Sequence, residues 1–531
     1  MVSSDVHLLP SNEQLAEPKY ASGVAPAPDG SAFRRRLIMA VELIVVGMLA
    51  FIVRWLGITR QSLWLDEAYS VYLSAHRLPQ ILGFTASSDA HPPLYYLLLH
   101  TWMTLFGPSA LAVRGLSLLA SVAAALMAYA LGRVISSHRV ALLTAVMMGL
   151  SSFQVWYAQE ARMYALTALA TLVALYGLAR ALRDGRARYW VTFVMGMLVA
   201  LYLDYSAGYV LLGVIVWFAL IGRRQRDVIV PFVASMVALL LGYAPWLPSF
   251  VQQIRGVASL TAWIGGASGA GIVNVLTDFF FNRSNLSEPT GTLVGWLATG
   301  VSLITVAFAL WAPRRHPFYP LLALWVGCPL GLGLISEFYS HPITIARTMM
   351  VVQPELLLLL ALAVDMQLTR YTPRFSARAG LFVTGLLLTA LLVGNIGAQI
   401  TANTATIKED WHGAASFVAA HQQPGDLLLF NAYYGQMPFD YYYHQQAAGV
   451  EPVVMERGYL SEESLLYADL SQGGAGLRTA QELESYGRVW LIVSHAPSPG
   501  SAAPAFLTSN YHLVSEQRLV GVTVLLYLKS V

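Results

Sequence analysis

About eleven apolar stretches of membrane-crossing length constrain the fold of this 531-residue chain more than any other feature of its sequence. A helix needs roughly 20 mostly apolar residues to cross a bilayer. Only 11% of the residues are charged, whereas soluble proteins average about 25%. We therefore predict a polytopic α-helical membrane protein. The stretches are residues 37–56, 110–132, 140–157, 162–181, 189–203, 206–222, 228–247, 291–312, 318–336, 347–367 and 379–400.

The arginine residues predict which loops face the cytoplasm. They cluster at residues 34–36, 133–139, 180–188, 223–226, 314–315 and 370–378. With the N-terminus inside, each cluster falls in a cytoplasmic loop, as the positive-inside rule requires. The odd number of spans then leaves the C-terminal region outside, in a multi-pass protein of the plasma (inner) membrane. The apolar stretch Leu94–Phe106 is too short to cross and contains His100, so we predict an interfacial helix.

Three regions follow from these patterns. Residues 1–33 are polar and rich in Pro, Ala and Ser, which predicts a disordered cytoplasmic tail, and residues 34–401 form the membrane domain. Residues 402–531 contain only short apolar runs and are predicted to form a small extracytoplasmic α/β domain. Its predicted strands are Asp426–Phe430, Arg488–Val493 and Gly521–Leu528, its predicted helices are Trp411–His421 and Ser461–Leu470, and Tyr441–Tyr443 is interpreted as a partly buried strand or interfacial surface.

Polar side chains from distant parts of the chain are predicted to meet at the outer membrane boundary. The first outer loop, residues 57–109, carries two adjacent carboxylates and a second polar group, and later outer turns add more. Carboxylates at the mouth of a hydrophobic bundle are costly, so their convergence with His, Tyr and Arg indicates an active site. The converging residues are Asp66, Glu67, Asp89, His91, Gln159, Arg162, Tyr164, Asp204, Tyr205 and Arg347.

Each of these residues also has a purely structural interpretation. Asp66 and Glu67 could be solvated loop acids. Gln159, Glu160, Arg162 and Tyr164 could cap adjoining helices. The other three cases are a snorkelling anchor at Arg347, a rigid turn at His91-Pro92-Pro93 and a polar helix break at Asp204-Tyr205.

Composition excludes other functions. A formal net charge of +3 and the lack of a Lys/Arg-rich recognition stretch argue against a nucleic-acid partner. The single cysteine, Cys328, allows no internal disulfide and no cysteine-based metal site.

Four motifs resemble the bacterial family 39-type glycosyltransferases of the dolichyl-phosphate-mannose–protein mannosyltransferase superfamily. They are WLDEAYS from Trp64, DAHPPLYYLLLHTW from Asp89, WYAQEARMYAL from Trp156 and KEDWHGAASFV from Lys408. The resemblance implies a GT-C fold and an enzyme that moves a sugar from a polyprenyl-phosphate carrier to an acceptor on the outer side of the membrane. It also implies that the acidic pair, here Asp66 and Glu67, is catalytic. Relatives often carry a Pro-Arg-Tyr-like motif, of which only Arg347 is present here.

The chemistry of such a transfer assigns roles to these residues. An acceptor hydroxyl must lose a proton, for which Asp66 is a suitable general base, and a single displacement then inverts the anomeric centre. The departing lipid phosphate needs cations, for which we predict Arg162 and Arg347. The predicted sugar or acceptor ligands are Asp89, His91, Gln159, Tyr164, Asp204 and Tyr205.

We predict no cofactor. The adjacent Asp66-Glu67 pair lacks the spaced D-x-D arrangement of many metal-dependent glycosyltransferases, although related GT-C oligosaccharyltransferases use a divalent metal. The acceptor is a lipid, a glycan or a protein, and membrane lipids surround the site. One alternative is a transporter or flippase of lipid-linked sugars, with essential charges near the bilayer midplane. Another is a non-catalytic subunit whose outer domain binds a partner.

Overall fold

A computed structural model describes most of the membrane domain and part of the C-terminal region. The described residues are 30–255 except 88, 271–281, a few positions between 293 and 307, 318–338, 345–370, 375–446 except 432, 453–454, 485–494 and 505–530. Residues 1–29, most of the predicted span 291–312 and the predicted helix Ser461–Leu470 lie outside the described residues. The first helix already begins at Gly30, inside the predicted tail.

Helices dominate the described chain. The first eleven are α1 (Gly30–Trp55), α2 (Leu65–Ser74), α3 (Leu78–Ser87), α4 (Leu94–Phe106), α5 (Ala110–Ile135), α6 (His138–Leu150), α7 (Ser152–Ala158), α8 (Tyr164–Asp184), α9 (Ala187–Leu203), α10 (Ala207–Leu220) and α11 (Arg226–Tyr243). They continue with α12 (Leu247–Arg255), α13 (Gly271–Phe281), α14 (Tyr319–Phe338), α15 (Gln353–Arg370), α16 (Phe375–Thr404), α17 (Trp411–His421), α18 (Gln436–Gln446) and α19 (Ala505–Asn510).

The apolar helices make this a multi-pass membrane protein. Within the described residues, six helices are long and apolar enough to cross a membrane, and the bent pair α6–α7 adds a seventh if it forms one span. Three further predicted spans correspond to α9, α15 and α16. The predicted short interfacial segment is α4, with the predicted bounds Leu94–Phe106. The predicted break at Asp204-Tyr205 separates α9 from α10.

A buried arginine stabilises the bend between α6 and α7, whose axes differ by 57°. Helix ends leave carbonyl groups without intrahelical partners, and such groups need other donors inside a membrane. The Arg54 guanidinium donates to the carbonyls of Met148 at 3.1 Å and Gly149 at 2.7 Å, and its Nε donates to Ser121 Oγ at 2.8 Å. The bend leads the chain through α7 into the turn at residues 159–163, which lies beside the acidic loop.

Two glycines allow α8 and α9 to pack at close range. A Cβ atom at Gly177 would lie 2.5 Å from the backbone nitrogen of Phe193, and one at Gly196 would lie 2.7 Å from that of Ala174. Real Cβ atoms do not approach backbone atoms this closely, so these positions need glycine. Small residues at helix interfaces are the usual means of close packing in membranes.

The C-terminal region contains a five-stranded mixed sheet in the order β2-β1-β3-β5-β4. The strands are β1 (Leu427–Asn431), β2 (Val453–Val454), β3 (Arg488–Ser494), β4 (Tyr511–Leu519) and β5 (Val522–Lys529). β1 runs parallel to β2 and β3, whereas β5 is antiparallel to β3 and β4. Three strands and the helix α17 agree with the predicted α/β region.

Two details of this region differ from the prediction. β4 was not predicted, because this edge strand is mostly exposed and its sequence YHLVSEQRL lacks an apolar run. Tyr441–Tyr443 lie in the helix α18, so the prediction of a strand there is wrong. Tyr442 packs inward, and its hydroxyl accepts a hydrogen bond from the backbone nitrogen of Leu63 at 2.6 Å. A run of tyrosines favours strands only weakly when tertiary contacts favour a helix.

Candidate active site

The two adjacent carboxylates of the first outer loop diverge because they lie on a helix. α2 begins at Leu65, so Asp66 and Glu67 occupy its first turn, where the helix dipole favours negative charge. Successive residues on a helix point about 100° apart, because one turn holds 3.6 residues. Asp66 is 23% exposed at its side chain, whereas Glu67 is completely buried. The pair therefore comprises one accessible carboxylate and one enclosed carboxylate.

Glu67 forms a bidentate ion pair with Arg114 of α5. The Arg114 Nε donates to Oε1 at 2.7 Å and its Nη2 to Oε2 at 2.6 Å, and the backbone nitrogen of Ala161 donates to Oε1 at 2.9 Å. Burial raises the pKa of Glu67, but the charges of Arg114 and Lys408 and the hydrogen bonds outweigh it and lower the pKa to about 2. Glu67 is thus an anion at neutral pH and has no access to solvent.

Arg114 also fixes the chain that leads into the acidic loop. Its Nη1 donates to the carbonyls of Ile58 and Gln61 at 2.7 and 2.9 Å, and its Nη2 donates to the carbonyl of Ser62 at 3.0 Å. One buried guanidinium therefore holds both Glu67 and the backbone that precedes it. Glu67 is therefore enclosed by its partners, and its predicted catalytic role stays a prediction.

Asp66 pairs with an arginine 281 residues further along the chain. Arg347 Nη1 lies 2.8 Å from Asp66 Oδ2, and the Arg347 side chain is 20% exposed. The guanidinium carbon lies 5.5 Å from the ring centroid of Trp64, within the range of a cation–π interaction. The structure thus brings together the predicted base and one of the two predicted phosphate ligands.

Arg162 lies behind Asp66 and is almost completely buried. Its Nη1 donates to Ser70 Oγ at 3.1 Å and, at a longer 3.4 Å, to the Asp66 carbonyl oxygen. Its Nη2 lies 3.4 Å from His91 Nε2. The guanidinium carbon is 5.9 Å from the ring centroid of Tyr164, which is also buried. Arg162 and Tyr164 therefore form the floor of the site instead of its open surface.

Asp89 and His91 form a dyad that leads to Arg162. Asp89 Oδ1 accepts hydrogen bonds from the backbone nitrogen and Nδ1 of His91, both at 3.1 Å, and Oδ2 accepts one from the Tyr69 hydroxyl at 3.2 Å. Since Nδ1 faces a carboxylate and Nε2 faces a guanidinium, these partners assign the ring proton to Nδ1. Burial raises the pKa of Asp89, but the hydrogen bond from His91 and the charge of Arg162 outweigh it and lower the pKa.

Three predicted sugar ligands have structural partners instead. Gln159 Nε2 donates to the carbonyls of Arg54 and Leu56 at 2.9 and 2.8 Å and so caps α1. Asp204 Oδ1 accepts a hydrogen bond from the backbone nitrogen of Ser206 at 2.8 Å. The Tyr205 hydroxyl accepts one from Trp246 Nε1 at 2.9 Å and donates to Gln253 Oε1. Helix capping and packing therefore occupy all three side chains, and their assignment as sugar or acceptor ligands stays a prediction.

Lys408 belongs to the site and was given no role from the sequence. Its Nζ lies 2.8 Å from Glu160 Oε1 and 3.5 Å from Glu67 Oε2, and it sits 4.9 Å from the ring centroid of Trp156. Lys408 begins the KEDW motif that contributes to the family resemblance. Arg114 was missed as well, although a lone arginine in an apolar stretch is a recognised signal of function.

No group of three or more His, Cys, Asp or Glu side chains within the described residues is arranged to hold a metal ion. The acidic side chains of the site instead contact cations or hydrogen-bond donors: Asp66 pairs with Arg347, Glu67 with Arg114, and Asp89 with His91. Whether a metal takes part stays a prediction.

Comparison with known proteins agrees with this architecture. Residues 90–248 match the sequence model of the family described as dolichyl-phosphate-mannose-protein mannosyltransferase. A search of curated proteins by sequence found no match. The fold is similar to that of ArnT from Cupriavidus metallidurans bound to undecaprenyl phosphate, at 15% identity and a TM-score of 0.54, over 94% of this chain and 98% of that one.

The fold is also similar to the oligosaccharyltransferase of Archaeoglobus fulgidus. The structure tethered with an acceptor peptide matches at 11% identity and a TM-score of 0.54, over 92% of this chain and 74% of that one. The complex of AglB from the same organism with an inhibitory peptide and a dolichol-phosphate matches at 12% identity and a TM-score of 0.54, over 93% and 74%. At such identities the likeness shows the fold.

The protein thus has the GT-C fold that was predicted, and its resemblance to the mannosyltransferase family is confirmed. Its predicted class, a membrane glycosyltransferase, is confirmed with it. The transporter alternative is not retained. The matched family segment contains His91 and Arg162, while Asp66 and Arg347 lie outside it.

Proposed function

We propose that this protein transfers a sugar from a polyprenyl-phosphate-linked donor to an acceptor on the outer face of the membrane, with inversion of the anomeric centre. The ion pair between Asp66 and Arg347 supports this proposal most directly. It joins a carboxylate and a guanidinium, both partly exposed, in a site whose other charged groups are mostly buried. One group suits proton removal, and the other suits a departing phosphate.

In the proposed reaction, Asp66 removes the proton from an acceptor hydroxyl. The hydroxyl oxygen forms a bond to the anomeric carbon of the sugar, while the bond from that carbon to the phosphate oxygen breaks. The bonding electrons leave with the lipid phosphate, and Asp66 retains the proton until solvent takes it. Because attack comes from the face opposite the phosphate, a single displacement inverts the centre.

Arg347 is the proposed phosphate ligand. A guanidinium has five N–H donors in a planar fork, so it can hold a carboxylate and a phosphate at the same time. Arg162 is too buried to share this task directly. We assign it a supporting role instead, because its positive charge lies under Asp66 and its Nη1 contacts the Asp66 carbonyl. Its earlier assignment as a phosphate ligand is therefore revised.

His91 is the proposed contact to the sugar. Its side chain is 28% exposed, whereas those of Asp89 and Tyr164 are almost completely buried. Asp89 orients the imidazole ring by accepting its Nδ1 proton. We therefore propose that Asp89 and Tyr164 act through His91 and Arg162 rather than by touching the substrate.

The function is tested with purified protein in lipid nanodiscs and a panel of synthetic undecaprenyl-phosphate sugars. Release of undecaprenyl phosphate together with a glycosylated lipid, glycan or peptide acceptor, and inverted stereochemistry of the product, are the expected results. A protein that moves labelled donor across vesicle membranes without cleaving it would contradict the proposal.

Substitution of Arg347 is expected to weaken use of the donor. Arg347→Ala should lower kcat/KM for the lipid donor about 10- to 100-fold, since hydrogen bonds between charged groups contribute about 1.5–3 kcal/mol. Arg347→Lys keeps the charge without the fork and should fall between Ala and wild type. Arg224→Ala, at an exposed arginine of a predicted cytoplasmic loop, is the matched control. Equal donor kinetics for all variants would make Arg347 a membrane anchor only.

We also propose that the N-terminus is cytoplasmic and that residues 402–531 lie outside, in the plasma membrane. In a Cys328→Ala background, Gln423→Cys should react with a membrane-impermeant thiol reagent added to intact cells, and Gln225→Cys should not. Both glutamines are exposed, so accessibility differs only by side. If only Gln225→Cys were labelled, the topology would be the opposite of the one proposed, and the acidic loop would lie in the cytoplasm.

A further inference from the structure

A buried cluster of four charged side chains lies beside the proposed active site, and the proposed reaction uses none of them directly. The cluster consists of Glu67, Arg114, Glu160 and Lys408, whose side chains are at most 8% exposed. Two carboxylates and two cations balance in charge. Arg114 and Ala161 donate hydrogen bonds to Glu67, and Lys408 Nζ lies 3.5 Å from its Oε2. Glu160, in contrast, depends on Lys408 for its one ion pair within the described residues.

Lys408 lies in the segment that follows α16, and hydrogen bonds connect that segment to the residues preceding Asp66. The Gln61 side chain is the main connection. Its Nε2 donates to the carbonyls of Ala402 and Ala405 at 2.9 and 2.8 Å. Its Oε1 accepts hydrogen bonds from the backbone nitrogens of Ile407 and Lys408 at 3.0 and 3.2 Å.

The connection continues on both sides of Gln61. The Arg60 guanidinium donates to the carbonyl of Thr404 at 3.2 Å, and Ser62 Oγ accepts a hydrogen bond from the backbone nitrogen of His412 at 3.2 Å. Residues 60–62 therefore run along residues 402–412. The position of Lys408 and the position of the acidic loop are mechanically coupled.

We infer that Lys408 is a positioning residue for Asp66, because it neutralises Glu160 and so keeps the acidic loop in place. This inference rests on the proposed function of Asp66. Without Lys408, two carboxylates would share an enclosed space, where like charges repel strongly. Glu160 Oε2 has no hydrogen-bond partner within the described residues, so no second donor would take over. The relief available is movement of the loop or protonation of Glu160.

The electrostatic surroundings of Glu160 support this inference. Burial raises its pKa, the charge of Lys408 lowers it, and the charge of Glu67 raises it, so that the net pKa is raised. The other groups that face Glu160 are Arg347 and Arg114, and the hydroxyls of Tyr157 and Tyr164. Removal of Lys408 should therefore raise the pKa further.

The Lys408→Met variant should consequently lose activity as pH rises, unlike wild type. At low pH Glu160 is protonated, the repulsion from Glu67 is absent and the loop stays in place. At higher pH Glu160 ionises without a partner, and Asp66 is displaced. Because small displacements of catalytic groups cost up to about 100-fold in rate, we expect kcat to fall about 10- to 100-fold at the high-pH end.

Four variants test the inference: Lys408→Met, Glu160→Gln/Lys408→Met, Lys408→Arg and the matched control Lys529→Met at an exposed lysine. The double variant removes both charges and should restore kcat and remove the pH dependence. Lys408→Arg should resemble wild type. Amide hydrogen exchange at residues 60–67, compared with wild type at the same pH, should be faster in Lys408→Met only.

The outcomes separate the two proposals. If wild type transfers no sugar from any donor, the proposed function fails, and hydrogen exchange alone still decides whether Lys408 holds the loop. If wild type is active and Lys408→Met matches it across the pH range with unchanged exchange, the inference is overturned. Should Lys408→Met not fold, a folded and active double variant supports the inference. An inactive or unfolded double variant contradicts it, because the charge balance would then be irrelevant.

Discussion

Asp66→Asn is expected to lower kcat for sugar transfer about 10²- to 10⁴-fold, the usual contribution of a positioned general base. The substitution keeps the size of the side chain, and an amide oxygen can still accept the hydrogen bond from Arg347 Nη1. The amide cannot, however, remove the proton from the hydroxyl of the acceptor substrate. The donor KM should therefore change little, in contrast to Arg347→Ala, for which we expect a weaker interaction with the donor.

A binding measurement and a control variant distinguish loss of the general base from loss of donor binding. Binding of undecaprenyl phosphate, followed by intrinsic tryptophan fluorescence, should be nearly the same in Asp66→Asn and in wild type, since Trp64 lies beside Arg347. Asp227→Asn, at an exposed acid distant in sequence from the site, is the control for loss of a carboxylate in general. Near-normal kcat in Asp66→Asn, or a defect confined to the donor KM, would reassign Asp66 to holding Arg347.

The membrane architecture could be predicted from the sequence because it follows from local physics. Apolar length sets the spans, and the polar pair Asp204-Tyr205 marks a break between helices. The bounds of α4 were predicted correctly because Pro93 and Gly107 flank its apolar residues, and Gly107 has a positive φ of 80° that ends a helix easily.

Which of the two adjacent acids is buried could not be predicted. Helical spacing requires Asp66 and Glu67 to point apart, but their own sequence does not say which one is buried. Arg114 decides this by forming two hydrogen bonds to Glu67 across 47 residues. Arg347 then pairs with the remaining carboxylate. Contacts between residues so distant in the chain depend on how the helices pack.

The role of Gln159 is a second example of a contact that the sequence alone could not predict. The motif WYAQEARMYAL places several polar side chains together, and their chemistry suits both sugar binding and helix capping. Gln159 contacts the carbonyls at the end of α1, whereas Arg162 lies under Asp66. A one-dimensional pattern cannot distinguish these directions within one motif.

Glu67→Gln is expected to destabilise the folded protein by about 3–5 kcal/mol, the usual cost of breaking a buried ion pair at one partner. The substitution leaves the Arg114 guanidinium buried without a counter-charge. It also removes the partner that orients Arg114 toward the carbonyls of Ile58, Gln61 and Ser62. Denaturant unfolding in detergent micelles measures the free energy of unfolding. Asp184→Asn breaks a partly exposed pair with Arg180 and should cost at most about 1 kcal/mol.

The pH dependence of stability distinguishes an ion pair from a packing defect. The pKa of Glu67 is lowered from the ordinary value of 4.5 to about 2, which corresponds to about 3 kcal/mol of stabilisation by the ionised form. A group with a lowered pKa contributes its full stability above its unfolded pKa and loses it as pH falls through its folded pKa. Between pH 5 and pH 2, wild type should therefore lose about 3 kcal/mol more than Glu67→Gln, because all other carboxylates are common to both. Parallel stability curves for the two proteins would show that Glu67 contributes by shape and not by charge, and Arg114 would then have to be balanced by another group.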